Sequence, residues 1–409
     1  MFEDSYLLII LVSVLVILSY AYSALAVKTK IPSVLLLLIT GIVARFAFNN
    51  IGYELPPLKN VVQFFGIIGV ILIVLEGALE LKLRRDKLWL IVRSFFSALV
   101  ILAVSTLSIA YGIKLMYGEF TYYLCIVNAL PFAVISSAIA IPSVRGISED
   151  KKEFIVYESI FSDILGILIF NFVIANPTIE ASDFSWLAID FFGVMIVSLV
   201  VSAIILLFID KTTMHIKFFL LIAIMMLLYA IGKMIHVSSL LMILFFGLIL
   251  NNLDLWAPKK LGRKLNVKKL QEGIEGFKMI TNESAFLIRT LFFFIFGCTL
   301  QLSLMSDFRI IFTGLVIVAM LFGIRFLYLK FMARRNLYPE LFIAPRGLIT
   351  ILLYYAIPKE YSIGFISEGV LFFVILVTSL IMMFGLMRSK ESIPEMEVYV
   401  GDKRIDENS

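Results

Sequence analysis

The segment 158–163, which reads Glu-Ser-Ile-Phe-Ser-Asp, lies inside an apolar run and is the most informative part of the sequence for chemistry. Residues four apart share one face of a helix, so Ser159 and Asp163 would lie side by side. Carboxylate and hydroxyl oxygens are hard ligands that suit a small cation. The same carboxylate can take up a proton instead, so the pattern predicts a site where a monovalent cation and a proton compete for Asp163. The alternative is a buried ion pair between Asp163 and an arginine.

Ionisable side chains inside apolar runs are the other candidates for function, because each costs at least ~2.5–3.5 kcal/mol at the centre of a membrane. Those nearest the middle of a run are Glu76, Glu158, Asp163, Arg289 and Arg346. Others lie nearer the ends of runs, where long side chains reach water or cap a helix. These are Arg45, Arg93, Lys233, Glu283, Arg309 and Arg325, and no function is assigned to them.

The composition places these residues in a membrane. Of the 409 residues, 61% are hydrophobic and 16% are charged, and the mean hydropathy is +1.02. A soluble domain has roughly 45–50% apolar and about 25% charged residues. Such an excess cannot be buried in one soluble globule, and it also excludes a disordered chain. Cys125 and Cys298 lie inside apolar runs, which indicates buried thiols and no disulfide framework.

Thirteen apolar runs are long enough to cross the hydrocarbon layer as helices. These spans cover about 6–27, 32–48, 61–81, 89–116, 121–142, 154–176, 185–209, 216–236, 238–253, 283–303, 308–331, 339–358 and 364–388. The predicted fold class is therefore an all-α polytopic membrane protein with about 13 transmembrane helices.

The basic residues between the spans indicate the orientation. Alternate loops, beginning with the loop that holds Lys28 and Lys30, contain 23 Lys and Arg residues, and the intervening loops contain only Lys59, Lys114 and Lys359. Because Lys and Arg accumulate in cytoplasmic loops, the N-terminus is predicted outside and the C-terminus inside the cell membrane. The same asymmetry explains the net charge of +5 without nucleic acid as a partner.

An internal repeat relates the two halves of the chain. Residues 31–41 align without a gap over 237–247, which pairs span 2 with span 9 and span 3 with span 10. An offset of seven spans is odd, so the halves would be inverted relative to each other. The predicted organisation is a transmembrane domain 1–390, with repeat one at about 6–176, a connector helix at about 185–209 and repeat two at about 216–388, followed by a short cytoplasmic tail 391–409.

Spans 5 and 12 each contain a candidate break. Pro131 and Pro142 lie in span 5, and span 12 reads Ala-Pro-Arg-Gly at 344–347. Proline removes a helical N–H group, and the freed backbone groups need partners inside a membrane. Broken helices at corresponding positions of two halves point to a substrate site near the midplane.

These motifs resemble those of the cation:proton antiporter superfamily, in its sodium/proton exchanger (NhaP-like) branch. The segment 158–163 is similar to the Glu-Ser-x-x-Asn-Asp signature of that branch. Further blocks occur in the family's order at 31–41, 75–81, 136–139, 286–293 and 344–347, so the resemblance covers essentially all of 1–390. It implies an NhaA-like antiporter fold with two inverted six-helix repeats and broken crossing helices. It also implies a homodimer, alternating access, and no cofactor beyond the transported cation and proton.

By this resemblance, Asp163 is the carboxylate that exchanges a monovalent cation for a proton. The resemblance implies further oxygen ligands in Ser159, Glu76 and the backbone carbonyl near Ala138. It also implies a structural ion pair between Glu158 of span 6 and Arg346 of span 12.

The sequence departs from the family at two points. Ser162 replaces the Asn of the exchanger branch and the second Asp of the electrogenic branch, and Ala138 with Ile139 replaces a stretch that carries a threonine hydroxyl. With a titratable group at 163 and none at 162, we expect electroneutral exchange of one cation, Na⁺ before Li⁺ or K⁺, for one proton. The missing hydroxyl leaves the choice of ion and the activity itself open.

Several alternatives remain at this point. Arg289 would either lie near Asp163 and tune it, or satisfy carbonyl groups at one of the breaks. The same fold could carry an organic anion, or the chain could be a sensor without transport. A membrane enzyme is disfavoured, because the two histidines are far apart and the acidic residues are not clustered as metal or acid–base chemistry requires.

Overall fold

The computed structural model describes residues 2–50, 58–83, 85–144, 147–177, 193, 195–201, 204, 217–234, 239–252, 267–300, 307–332 and 338–388. Across these residues the chain is helical, without strands. The thirteen α-helices are α1 (Phe2–Thr29), α2 (Ser33–Asn50), α3 (Lys59–Glu80), α4 (Leu88–Met116), α5 (Tyr122–Ala133), α6 (Ser137–Ser143), α7 (Glu149–Ala175), α8 (Lys217–Met234), α9 (Ser239–Asn251), α10 (Val267–Thr299), α11 (Phe308–Leu327), α12 (Leu348–Ala356) and α13 (Glu368–Arg388). Short 3₁₀ turns lie at Arg85–Lys87 and Lys359–Tyr361, and a π turn at Tyr328–Met332 follows α11.

The helices follow the predicted spans closely. Nine segments among the described residues are long and apolar enough to cross a membrane, with α5 and α6 forming one of them, and α8 and α9 are shorter apolar helices. Of the predicted connector helix 185–209, only residues 193, 195–201 and 204 are described, and they are helical. Its bounds and the tail 391–409 lie outside the described residues.

Spans 10 and 12 differ from their prediction. α10 begins at Val267, sixteen residues before the predicted start, because its first turns are polar and hydropathy does not distinguish a polar helix from a loop. In span 12 only α12 is helical; the first half is a turn closed by the bond from Phe342 N to Pro339 O at 2.9 Å, followed by residues 343–347 without regular secondary structure. Pro339 and Pro345 lie too close together for a helix between them, since each removes a donor and disfavours helix in the residue before it.

Two groups of helices pack together. In the first, α2 and α3 pack against α10, and α9 packs against α3. In the second, α4 contacts α5, α7 and α11, and α11 contacts α13. α3 joins the groups, because it also contacts α7 and α12.

Glycines bring two helix pairs into close contact. A Cβ atom on Gly41 of α2 would meet the carbonyl oxygen of Phe294 and come within 2.9 Å of the Cα of Gly297 on α10. A Cβ atom on Gly247 of α9 would come within 2.5 Å of the Cβ of Ala78 on α3. Under the predicted pairing of span 2 with 9 and span 3 with 10, these are equivalent contacts. The inverted repeat itself stays a prediction.

The ends of the same helix pairs are also joined in an equivalent way. Arg45 of α2 donates to the carbonyls of Cys298 and Thr299 at the end of α10, at 3.1 and 2.7 Å. Asn252, directly after α9, donates to the carbonyl of Leu81 at the end of α3, at 2.9 Å. Each polar side chain satisfies carbonyls that a helix end leaves without intrahelical partners.

Replacing Gly41 with alanine should therefore destabilise the fold. The added methyl would collide with backbone atoms of α10, which cannot move aside as a flexible side chain can, and overpacking of this kind costs about 1–3 kcal/mol. The matched control is Gly323→Ala on α11, where nothing lies within 4 Å of the added atom. Thermal unfolding in detergent micelles should show a lower midpoint for Gly41→Ala and no loss for Gly323→Ala. Equal midpoints for both variants would contradict the close approach of α2 and α10.

Candidate ion-binding site

The first break lies between α5 and α6, where residues 134–136 are extended. Three successive N–H groups leave the helix there and find partners elsewhere. They are Ile135 N to Ser162 Oγ at 2.9 Å, Ser136 N to the carbonyl of Pro345 at 2.9 Å, and Ser137 N to Asp163 Oδ2 at 3.2 Å. The break is therefore bonded to α7 on one side and to span 12 on the other.

The carbonyl groups freed at this break bind the side chain of Arg346. Its Nε donates to the carbonyl of Phe132 at 2.8 Å, and its Nη2 donates to that of Ala133 at 3.3 Å. Nη1 donates to the carbonyl of Ala344, in the second break, at 2.5 Å. Arg346 is only 1% exposed. One buried guanidinium thus supplies the donors that both unwound segments lack in an apolar environment.

The two breaks cross at Ser136 and Gly347. Besides the bond from Ser136 N to Pro345, a Cβ atom on Gly347 would come within 2.7 Å of both Ser136 Oγ and Ile139 Cδ1. A larger residue at 347 would force the side chains of Ser136 and Ile139 to shift. The glycine in the Ala-Pro-Arg-Gly sequence therefore allows the close approach of the two breaks.

Asp163 lies at this crossing, in the middle of α7, and is 3% exposed. Its Oδ2 accepts the N–H of Ser137, and its Oδ1 has no hydrogen-bond partner among the described residues. Buried carboxylate oxygens in proteins almost always have a partner, so an orphan one needs an explanation. A proton or a cation on Oδ1 would supply it.

Other oxygens stand near Asp163 on the same elements. Ser159 lies one turn earlier on α7, and its hydroxyl donates to the carbonyl of Val156 at 3.1 Å, which leaves the oxygen's lone pairs available. The carbonyl of Ala138, in the first turn of α6, cannot receive the usual helical bond because residue 142 is a proline without an N–H. The roles of these two groups as ligands stay predictions.

Glu158 forms its buried ion pair with Arg325 of α11, which corrects the predicted pair with Arg346. Arg325 Nη2 lies 2.7 Å from Glu158 Oε2, and both side chains are 1% exposed. The hydroxyl of Ser97 donates to the other carboxylate oxygen at 2.5 Å, and Arg325 also donates to the carbonyl of Glu340 at 2.9 and 3.0 Å. The pair therefore joins α4, α7 and α11 and the turn that opens span 12. The guanidinium of Arg346 instead donates its hydrogen bonds to the backbone carbonyls at the two breaks.

Arg289 pairs with Glu76, a partner that neither of its expected roles included. Its Nη2 lies 3.2 Å from Glu76 Oε1, so it forms an ion pair between α10 and α3, with side chains 13% and 15% exposed. The carbonyls at the breaks, which Arg289 was a candidate to satisfy, belong to Arg346. The carboxylate of Glu76 is thus balanced by the guanidinium of Arg289. The role of Glu76 as a cation ligand stays a prediction.

The sequence model of the family described as sodium/hydrogen exchanger, transmembrane, matches residues 11–388. The chain belongs to this family. The solved structure of the sodium proton antiporter MjNhaP1 from Methanocaldococcus jannaschii at pH 8 matches with a TM-score of 0.69 and 18% sequence identity, over 93% of this chain and 100% of that one. An electron-microscopy map of the same antiporter matches with a TM-score of 0.64 and 19% sequence identity, over 93% of this chain and 94% of that one. No protein of curated function matches in sequence.

These findings confirm the resemblance to sodium/proton exchangers and the all-helical polytopic fold class, and the fold match is to an NhaP antiporter. The exchanger is a multi-pass membrane protein of a transporter family whose substrates are monovalent cations and protons. At 18–19% identity the structural likeness carries the fold alone.

Sequence reasoning missed three groups of this exchanger's site. Arg325 is predicted to lie near a helix end, because it is six residues before the end of its apolar run at 331. The number of acidic residues in span 6 could have identified Arg325. Glu158 and Asp163 are two carboxylates, and Arg346 alone can neutralise only one of them. Ser97 and the N–H of Ser137 carry no sequence signal, because a serine in an apolar helix is common and any residue has a backbone N–H.

Proposed function

We propose that this exchanger moves one monovalent cation, Na⁺ before Li⁺ or K⁺, against one proton by alternating access around Asp163. The observation that carries the proposal is the carboxylate at the crossing of the two breaks, buried and with one oxygen unpartnered among the described residues. A carboxylate there can be neutralised by either ion, and occupation by one excludes the other. Competition at a single group is sufficient to couple the two fluxes.

The backbone around Asp163 supports a cation as the second occupant. Carbonyl and hydroxyl oxygens are the ligands that hard cations prefer, and we expect the carbonyl of Ala138 and the hydroxyl of Ser159 to supply them. The guanidinium of Arg346 binds carbonyl oxygens and makes no ion pair with Asp163 in the structure. The negative charge of Asp163 is thus available to a transported ion.

The contact between the two helix groups suits a sliding movement. Three glycines of α3 lie against α12 and α7: Gly66 against Leu352, Gly69 against Leu348, and Gly77 against Ile160. At these positions α3 has no side chain that would have to repack when the neighbouring helices shift. We propose that the group with α7 and α12 moves along α3 and carries Asp163 from one side to the other.

The sequence supports a membrane location, an orientation and an oligomeric state for the exchanger. We propose that it lies in the cell membrane as a homodimer, with the N-terminus outside and the C-terminus in the cytoplasm. The distribution of Lys and Arg supports the orientation, and the family resemblance supports the dimer.

The test is proton flux in proteoliposomes that contain the purified protein and a pH-sensitive dye. Adding Na⁺ should move protons, Li⁺ and K⁺ should move fewer or none, and choline should move none. A thermal-unfolding transition should first show that the purified protein is folded. The absence of flux with all three cations in such protein would overturn the proposal and leave a carrier of organic anions or a sensor.

Electroneutrality is a separate prediction. With one carboxylate at position 163 and a serine at 162, one charge enters for each charge that leaves. An imposed membrane potential, set by a potassium gradient and an ionophore, should therefore leave the rate of Na⁺-driven proton flux unchanged. Acceleration by a potential that favours net positive charge movement in one direction would show that more than one proton is exchanged.

A further inference from the structure

A small apolar cluster lies between the two helix groups, on the side where α3 ends. Its buried members are 1–8% exposed, and they are Leu81 directly after α3, Ile91 of α4, and Tyr157 and Ile160 of α7. Leu248 of α9 packs against them from the first group. The cluster therefore joins side chains of both groups.

The cluster adjoins the ion site along α7. Ile160 lies three residues before Asp163, and Tyr157 lies six residues before it, about 9 Å along the helix axis. Ile141 of α6, three residues after Ala138, packs against the same cluster. Apolar side chains thus occupy the turns of α7 between Asp163 and the end of the helix that is predicted to be cytoplasmic.

The packing beside the site is tight. A Cβ atom on Gly77 of α3 would lie 3.2 Å from Ile160 Cγ1. Ser159 and Asp163, on either side of Ile160 in the chain, are 0% and 3% exposed. An apolar constriction excludes water, and with it a hydrated cation. This contact between α3 and α7 therefore separates Asp163 from water on the predicted cytoplasmic side.

A hydrogen bond between the groups crosses the cluster. The hydroxyl of Tyr157 donates to the carbonyl of Lys82 at 3.2 Å. Asn252, directly after α9, holds the two neighbouring backbone groups: it donates to the carbonyl of Leu81 at 2.9 Å and accepts the N–H of Leu83 at 2.6 Å. The end of α3 is thus fixed to α9, and Tyr157 binds α7 to that fixed end.

We propose that this apolar cluster is the gate of the ion path on the predicted cytoplasmic side, and that the hydroxyl of Tyr157 stabilises the closed gate. The inference rests on the proposed exchange at Asp163. For Asp163 to meet water on this side, α7 must move away from the end of α3, and the bond from Tyr157 to Lys82 must break. Loss of the hydroxyl would favour the open gate and leave every predicted ion ligand in place.

The expected size of the effect follows from the strength of one hydrogen bond. A neutral hydrogen bond changes an equilibrium constant by about twofold to tenfold. Where the open gate is the minor state, its population rises by the same factor when the bond is lost. Access to the site from the cytoplasmic side should rise equally.

The first experiment measures this access without transport. Ser159→Cys, in a chain with Cys125→Ala and Cys298→Ala, places a thiol on the face of α7 that holds Asp163. A membrane-impermeant thiol reagent is added to right-side-out or to everted vesicles. Tyr157→Phe should speed the reaction from the cytoplasmic side about twofold to tenfold and leave the rate from the other side unchanged.

The matched control is Tyr338→Phe. The hydroxyl of Tyr338 also donates to a backbone carbonyl, that of Gly385 of α13 at 2.7 Å, but this bond does not cross between the groups. The variant should leave both reaction rates unchanged. An unchanged cytoplasmic rate for Tyr157→Phe would overturn the inference. An equal increase from both sides would overturn it as well, because it would show a general loosening of the fold.

A second experiment uses transport by the chain with its native cysteines. The apparent KM for cytoplasmic Na⁺ varies inversely with the population of the open gate. Tyr157→Phe should therefore lower this KM about twofold to tenfold and leave the KM for external Na⁺ unchanged. No change, or an equal change on both sides, would contradict the gate. If the wild type itself exchanges no cation, the proposed function fails, whereas the thiol reaction still tests the closure on this side.

Discussion

Asp163→Asn should abolish cation-driven proton flux. The amide still accepts the N–H of Ser137 and fits the same space, so the crossing of the breaks stays intact. It can neither lose a proton nor balance a cation, and removal of a charged ligand costs at least ~3 kcal/mol, or about 100-fold in cation affinity. We expect the rate in proteoliposomes to fall to that of empty liposomes.

The matched control for this variant is Asp150→Asn, which removes an exposed carboxylate from the first turn of the same helix. It should transport as the wild type does. Thermal unfolding of Asp163→Asn should give a midpoint no lower than that of the wild type, because a buried charge without an ionic partner has been replaced by a neutral group. Residual Na⁺-dependent flux in Asp163→Asn above that of empty liposomes would place the exchanging group elsewhere.

Arg325→Met should cost about 3–5 kcal/mol of unfolding free energy, because it leaves the buried carboxylate of Glu158 without its countercharge. The loss should appear as a lower unfolding midpoint in detergent micelles. The matched control is Arg309→Met, an exposed arginine in the first turn of the same helix, which should change stability little.

A second substitution separates the observed ion pair from the predicted one. Glu158→Gln should restore much of the stability of Arg325→Met, because it removes the orphaned charge. It should not restore Arg346→Met, whose loss comes from unpaired carbonyls at the breaks. Rescue of Arg346→Met and not of Arg325→Met by Glu158→Gln would show that the pair predicted from the sequence is the correct one.

The parts of the fold that depend on local sequence could be predicted. Apolar runs mark the spans, because a helix must bury its backbone groups in a membrane, and the prolines at 131, 142 and 345 mark the breaks. Asp163 was identified for the same reason, since a carboxylate within an apolar run is costly. Span 12 was extended too far, because hydropathy does not distinguish a helix from a buried turn.

The partners of the buried arginines could not be predicted. Which carboxylate or carbonyl a guanidinium reaches depends on how helices distant in sequence pack: Arg325 and Glu158 are 167 residues apart. Arg346 and Arg325 both enter the core, and only the crossing of the breaks determines which of them binds carbonyl oxygens. Arg289 pairs with Glu76 for a similar reason, because the packing of α10 on α3 brings them together.

Proton release on cation binding tests the central claim most directly, namely that one carboxylate holds either ion. Purified protein in detergent, in weakly buffered solution with a pH indicator, would be titrated with NaCl, and with choline chloride as the control for ionic strength. At a pH where the site is protonated, Na⁺ should release about one proton per chain from the wild type and none from Asp163→Asn, and choline should release none. Binding of radioactive Na⁺ without proton release, or equal release from both proteins, would contradict exchange at Asp163.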